Sequence, residues 1–241
     1  MLKRLWHTHF WWEGADPKHV SLEIEYALGR RQELDFSGFV WTPHVEDPGN
    51  PGNKAPLHVL ANMLPKPGLG NVIQLGFEAN IIPRERTSSC TEFLLDVGPE
   101  EYPDLCPVIA SFHFVSAWYP KKRDADTFRQ QDPEGMTQGY LQILDDYGSK
   151  KLVIGHPWGY ASSLPSIPQY RMVAERVAAC GAALEINGRA LLKPRKDATL
   201  PWFLRPHYVK VLQETEVKVA IGWDGHNNEE LVFARNMHAI S

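Results

Sequence analysis

The sequence predicts an α/β fold on parallel strands, either a barrel or a doubly wound sheet. Short apolar runs alternate with helix-like segments, the pattern of strands joined by crossover helices. Most runs are apolar on successive residues and rich in Val and Ile, as strands buried on both faces are. Seven such runs in one domain-sized chain favour the barrel. At 241 residues the chain can bury a full core as a single domain, residues 1–241.

The first run, Leu2–Trp6, delivers His7 and His9. The helix expected after it, Pro17–Glu33, carries its Pro in the opening turn, where a missing N–H costs nothing. The second run, Gly38–Thr42, leads to His44 and then into the turn-rich DPGNPGNKAP, Asp47–Pro56. The third, Val72–Phe77, follows the breaker KPGLG and ends at Glu78. The fourth, Val108–Phe112, gives His113, and a helix is expected over Gly135–Tyr147. The fifth, Leu152–Gly155, gives His156, and the loop ASSLPSIP leads to a helix over Ile167–Cys180. The sixth, Ala182–Ile186, brings Glu185, Asn187 and Arg189, with a helix over Phe203–Glu214. The seventh, Val217–Trp223, gives Asp224 and His226 before a last helix, Asn228–His238.

Composition narrows the function classes. The net charge of −4 supplies no global basic field for nucleic acid. Cys90, Cys106 and Cys180 are dispersed and odd in number, with no C-x-x-C, which points to reduced thiols and a cytoplasmic setting. Charged residues and histidines come too early for a signal peptide, and no apolar stretch approaches the roughly 18 residues of a membrane span. No repeat or low-complexity tract interrupts the chain.

The strand ends carry the chemistry. A single His after a strand is most often a hydrogen-bonded core or surface residue, and H-x-H alone is a weak motif. Here every run ends at ionisable side chains, and most of these are of metal-binding type. In a parallel barrel those positions share one mouth, where active sites form. Imidazole with carboxylate suits Zn, Fe or Mn. So many ligands exceed one tetrahedral site and imply two or three divalent ions, with a carboxylate such as Glu78 able to bridge.

The pieces HTH, TPH, GFEAN, SFHF, GHP, ALEIN and GWDGH, in this order, resemble the polymerase and histidinol phosphatase (PHP) family of metal-dependent phosphoesterases. The resemblance spans nearly the whole chain. SFHF followed by Trp118, and EIN followed by Leu191 and Pro194, are most similar to the histidinol-phosphatase branch. The resemblance implies a distorted (β/α)7 barrel with the metal site at the C-terminal ends of the strands. It implies His7, His9, Glu78 and Asp224 on one metal, Glu78, His113 and His156 on a second, and His44 and His226 on a third. A further third-site ligand is expected among Glu13, Asp16 and His19, with Glu13 favoured because Glu-Gly resembles the acid–Gly pair of relatives. The chain departs from the pattern at Pro43, where relatives have an acid, and at Trp223, where they have Ser. Leu192 stands where the branch has a phosphate-binding Arg, so histidinol phosphate is not singled out as substrate. The segment after His226 is also short for the family.

The expected reaction is hydrolysis of a small phosphate monoester, a phosphorylated metabolite, by metal-activated water. Metals lower the pKa of bound water and neutralise phosphate oxygens. Asp224 and His226 stand at the reacting centre, and Arg189, just past a strand end, is the first choice of phosphate clamp. Lys193, Arg195, Arg84, Arg86 and Lys121–Arg123 are weaker choices, read first as solvated charges. Trp11, Trp12, Trp118 and Trp158 follow ligand positions and together suggest an aromatic-walled pocket, although core packing accounts for any one of them. No G-x-S-x-G, P-loop or Cys–His pair competes as nucleophile, and Ser111 and Ser116 read as structural. The alternatives are an amidohydrolase-type hydrolase, which would ordinarily carry a strand-end Lys, a PHP-type nuclease, and a non-catalytic metal-binding subunit.

Overall fold

A computed structural model describes residues 5–8, 38–44, 73–85, 91–113, 132–159, 161, 163–188 and 201–222. Among them the strands are β1 Leu5–Thr8, β2 Phe39–Trp41, β3 Ile73–Leu75, β4 Phe77–Pro83, β5 Phe93–Leu95, β6 Val108–Ser111, β7 Leu152–Ile154, β8 Ala183–Asn187 and β9 Lys218–Gly222. The α-helices are α1 Pro133–Tyr147, α2 Ile167–Cys180 and α3 Pro206–Thr215, the last preceded by a 3-10 turn at Trp202–Leu204. The expected helices Pro17–Glu33 and Asn228–His238 lie outside the described residues.

The strands form one parallel-rich sheet in the order β3-β2-β1-β9-β8-β7-β6-β4-β5. Every pairing is parallel except β4 with β5. The second half of the chain runs β6–α1–β7–α2–β8–α3–β9, each strand beside its predecessor. Parallel neighbours need a crossover of at least a dozen residues, and the helices supply it. Asp132 caps α1 through the N–H of Glu134, and Ser166 with Gln169 forms a reciprocal capping box on α2. α2 packs against both α1 and α3. Ile143, Leu144, Val173, Val177 and Val211 from these helices join Val108, Ala110, Ile154 and Leu184 of the sheet in one core. β2, β6 and β7 are buried at every residue, as their unbroken apolar runs require.

The third apolar run differs from expectation. It does not end at Glu78. Gly76 divides it into β3 and β4, and β4 continues through Glu78 to Pro83. A Cβ at Gly76 would lie 2.2 Å from the carbonyl oxygen of Pro107, so only glycine permits this approach. There the strand passes from pairing with β2 to pairing with β6. The extra length of β4 is held by β5, antiparallel, with Ile81 opposite Leu95. β5 is three residues long, too short for periodicity to reveal.

This joint links distant places in the strand order. β3 stands at one end and β4 near the other, yet a single residue separates them. Gly76 N–H donates to Trp41 O at 2.8 Å, Glu78 N–H donates to Pro43 O at 3.0 Å, and His44 forms a parallel bridge with Glu78.

Trp158 belongs to the core, not to an open pocket wall. It is 3% exposed and meets Tyr140, Tyr170 and Trp202 at ring distances of 5.1, 5.6 and 6.1 Å. Its backbone N–H donates to the Tyr140 hydroxyl at 2.9 Å. Burial pushes the ionisation of Tyr140 and Tyr170 well above the ordinary tyrosine range, so both stay neutral. Trp11, Trp12 and Trp118 lie outside the described residues. Among the described residues no helix is long and apolar enough to cross a membrane.

Candidate metal centre

Glu78 is fully buried, and among the described residues three imidazoles lie against its carboxylate. Oε2 lies 3.1 Å from His44 Nδ1. Oε1 lies 3.3 Å from His113 Nε2 and 3.1 Å from His156 Nε2. The two Nε2 atoms are themselves 3.1 Å apart. His113 meets both neighbours edge to face, at 5.0 Å from His44 and 4.8 Å from His156.

Each side chain arrives by a local cause. His44 follows β2 by three residues, and the Glu78 N–H bond to Pro43 O fixes that segment against β4. Pro43 accepts here through its carbonyl, a role open to any residue. Phe112 is buried against Phe93 and Tyr140, and strand alternation sends the next side chain, His113, to the opposite side. His156 follows β7 and Gly155 with φ of 22°, a backbone region that non-glycine residues rarely occupy. Two bonds hold it there: its N–H donates to Glu185 Oε2, and its carbonyl accepts the Gly159 N–H at 2.7 Å. Glu185 is itself buried on β8 and lies over Gly222 of β9, where a Cβ would sit 1.5 Å from Oε1. Strain at a residue held this firmly is typical of functional sites.

The donor set fits a divalent cation. A buried carboxylate requires positive charge or donors beside it. The two Nε2 atoms and Oε1 face one another, however, and at most a few protons could relieve that crowding of lone pairs. Tetrahedral zinc with bonds of about 2.0–2.1 Å holds its ligand atoms roughly 3.3 Å apart. The observed separations of 3.1–3.3 Å match that spacing. His44, Glu78 and His113 also offer ligand atoms that all lie within 4.8 Å of one another. Glu78 presents one oxygen to His44 and the other to His113 and His156.

The structure thus brings together His44, Glu78, His113 and His156. His7 falls within β1, whose Trp6 is in register with Gly222. His9, Glu13, Asp16, His19, Arg189, Leu192, Lys193, Arg195, Trp223, Asp224 and His226 lie outside the described residues, as do Arg86 and Lys121–Arg123. Arg84 is exposed and paired with Glu92 at 3.1 Å. Ser111 is buried, with its hydroxyl against the Cα of Gly155, a packing role. Sequence reasoning passed over Asn80, whose Oδ1 lies 2.9 Å from His113 Nδ1, and Asp96 behind it. Asn80 had a signal, since it shares the strand face of Glu78 two residues on. Asp96 had none.

No protein-family model matches the sequence, and no curated protein matches it. Among solved structures, the chain is similar to a histidinol phosphate phosphatase from Lactococcus lactis subsp. lactis, crystallised with zinc, L-histidinol and phosphate. The TM-score is 0.54 at 16% identity, covering 99% of this chain and 92% of that one. The likeness is one of fold, running the length of both chains.

Proposed function

We propose that the chain is a metal-dependent phosphoesterase that hydrolyses a small phosphate monoester. The observation that carries this reading is the buried Glu78 carboxylate, with His44 on one oxygen and His113 and His156 on the other. The fold likeness to a zinc-containing phosphatase supports it. So does the joint at Gly76, which brings β3 and β4 into line as a distorted barrel of seven parallel strands would. In this reading β1, β2, β3–β4, β6, β7, β8 and β9 are the seven, and the centre lies at the barrel mouth.

His44, Glu78, His113 and His156 would hold metal together with His7, His9, Glu13, Asp224 and His226. Zinc, manganese or iron bound there supplies an activated water and charge neutralisation for the phosphoryl oxygens. The protein's own part is to fix the ligands. Glu78 holds three imidazoles at set distances through its two oxygens, and Glu185 pins the backbone of His156. Burial keeps bulk water from the carboxylate, so its charge acts at low dielectric. Arg189 would clamp the substrate phosphate as a planar fork.

The test is a panel of phosphorylated metabolites assayed with Zn, Mn and Fe, on wild type and Arg189→Ala. A charge-assisted hydrogen bond is worth roughly 1.5–3 kcal/mol, so the variant should lose about 10- to 150-fold in kcat/KM at unchanged metal content. Several monoesters should be cleaved without special selectivity for histidinol phosphate, given Leu192. A panel with no turnover at full metal occupancy would refute the phosphoesterase reading. Wild-type kinetics in the variant would move the clamp to Lys193 or Arg195.

A further inference from the structure

Asn80 is 5% exposed, and its side chain touches Asp96 and His113. Nδ2 donates to Asp96 Oδ2 at 2.5 Å, and Oδ1 lies 2.9 Å from Nδ1 of His113. Asp96 is itself held in place. Its Oδ1 accepts the backbone N–H of Asn80 at 2.8 Å, and its own N–H donates to Asn80 O at 3.0 Å. Both oxygens of Asp96 thus act as acceptors, which obliges the Asn80 amide to turn its NH2 toward them. The amide oxygen is left facing His113. An oxygen can only accept there, so the hydrogen of His113 sits on Nδ1. The lone pair of the neutral ring then lies on Nε2, the atom that meets Glu78 Oε1 and His156 Nε2.

We infer that Asn80 and Asp96 are positioning residues that fix the His113 tautomer, so that Nε2 is offered as a ligand. The inference rests on the metal reading of the cluster. Histidine ligands generally depend on a partner at the second ring nitrogen. Here that partner is a neutral amide, and its orientation is dictated by a carboxylate one step further out. The carboxylate thereby governs which nitrogen of His113 is available without touching the ring.

Reversing the hydrogen-bond polarity tests this without changing shape. In Asp96→Asn, the new amide keeps one oxygen for the backbone N–H of Asn80 and turns its NH2 toward the Asn80 side chain. Asn80 must then flip, its NH2 meets His113 Nδ1, and the ring hydrogen moves to Nε2. The double variant Asn80→Asp with Asp96→Asn restores the pattern, because a carboxylate at position 80 accepts from both sides. Long-range proton–nitrogen NMR on the metal-free proteins reads the His113 tautomer. Zinc titration by calorimetry against a competing chelator reads affinity.

The expected result is an Nδ1–H tautomer in wild type and Nε2–H in Asp96→Asn. Zinc should bind about 10- to 100-fold more weakly to Asp96→Asn. Both properties should return in the double variant, which a role in packing alone does not predict. An Nε2–H ring in wild type overturns the inference whether or not the variants fold. So does wild-type zinc affinity in Asp96→Asn, or a double variant no better than the single. Wild type that shows the Nδ1–H ring yet takes up no zinc upholds the tautomer assignment and overturns the metal reading instead.

Discussion

Replacing Glu78 by Gln keeps the shape of the side chain and removes its charge. Three imidazoles within 3.1–3.3 Å would then lack the carboxylate they share. An outer partner of a metal ligand typically contributes 10- to 100-fold in affinity, and a bridging ligand should exceed that, so Glu78→Gln should lose more than roughly 100-fold. Metal should raise the melting temperature of wild type and leave that of the variant unmoved, since binding stabilises only the state that binds. Equal thermal shifts in the two proteins would show that metal binds elsewhere. His44, His113 and His156 were legible in the sequence because each ends an apolar run within a few residues. Asp96 was not. Its importance comes from its place beside Asn80 across an antiparallel pairing, and a single sequence holds no trace of that pairing.

Elements were legible where burial makes a long pattern. The helix expected over Ile167–Cys180 is the one observed, because Ser166 and Gln169 mark its start. The helix expected from Gly135 begins two residues earlier, at Pro133, after the Asp132 cap. The full length of β4 is hidden in the sequence because Glu78 and Asn80 interrupt its apolar run, while the structure buries both. A polar residue buried for a function looks in sequence like the end of a strand. β9 and β8 meet in register at Asn187 and Gly222, and Glu185 uses the space above Gly222 to reach His156. Gly222→Ala would drive a methyl group into that carboxylate. Overpacking of this kind costs about 1–3 kcal/mol. The variant should therefore be less stable to urea, and its zinc affinity should fall by about 10- to 100-fold because the His156 backbone loses its anchor. An unchanged affinity despite the lost stability would separate Glu185 from the centre.

At the scale of the whole molecule, the cluster draws on β4 and on the segments that follow β2, β6 and β7, and those strands come from both sides of the Gly76 joint. Cation removal should loosen all of them together. Metal at 1,000 times its dissociation constant contributes about 4 kcal/mol. For a chain of this size each kcal/mol is about 2–4 °C, so chelation should lower the melting temperature by about 10 °C, reversibly. Loss of secondary structure at room temperature on chelation would mean instead that the sheet cannot stand without metal. The residues of the cluster are far apart along the chain: His113 and His156 are separated by 43 residues, Glu78 and His156 by 78. Closing such loops costs entropy before any ligand bond returns it. Assembly order follows from that separation. If the cluster holds a cation, strand pairing must come first, and the cation would enter a mould already cast. A nascent chain that captured zinc early would bind it through whichever histidines happened to be near, His7 and His9 first among them. In that reading, the fold would be best served by a metal supply that stays scarce until the sheet has formed.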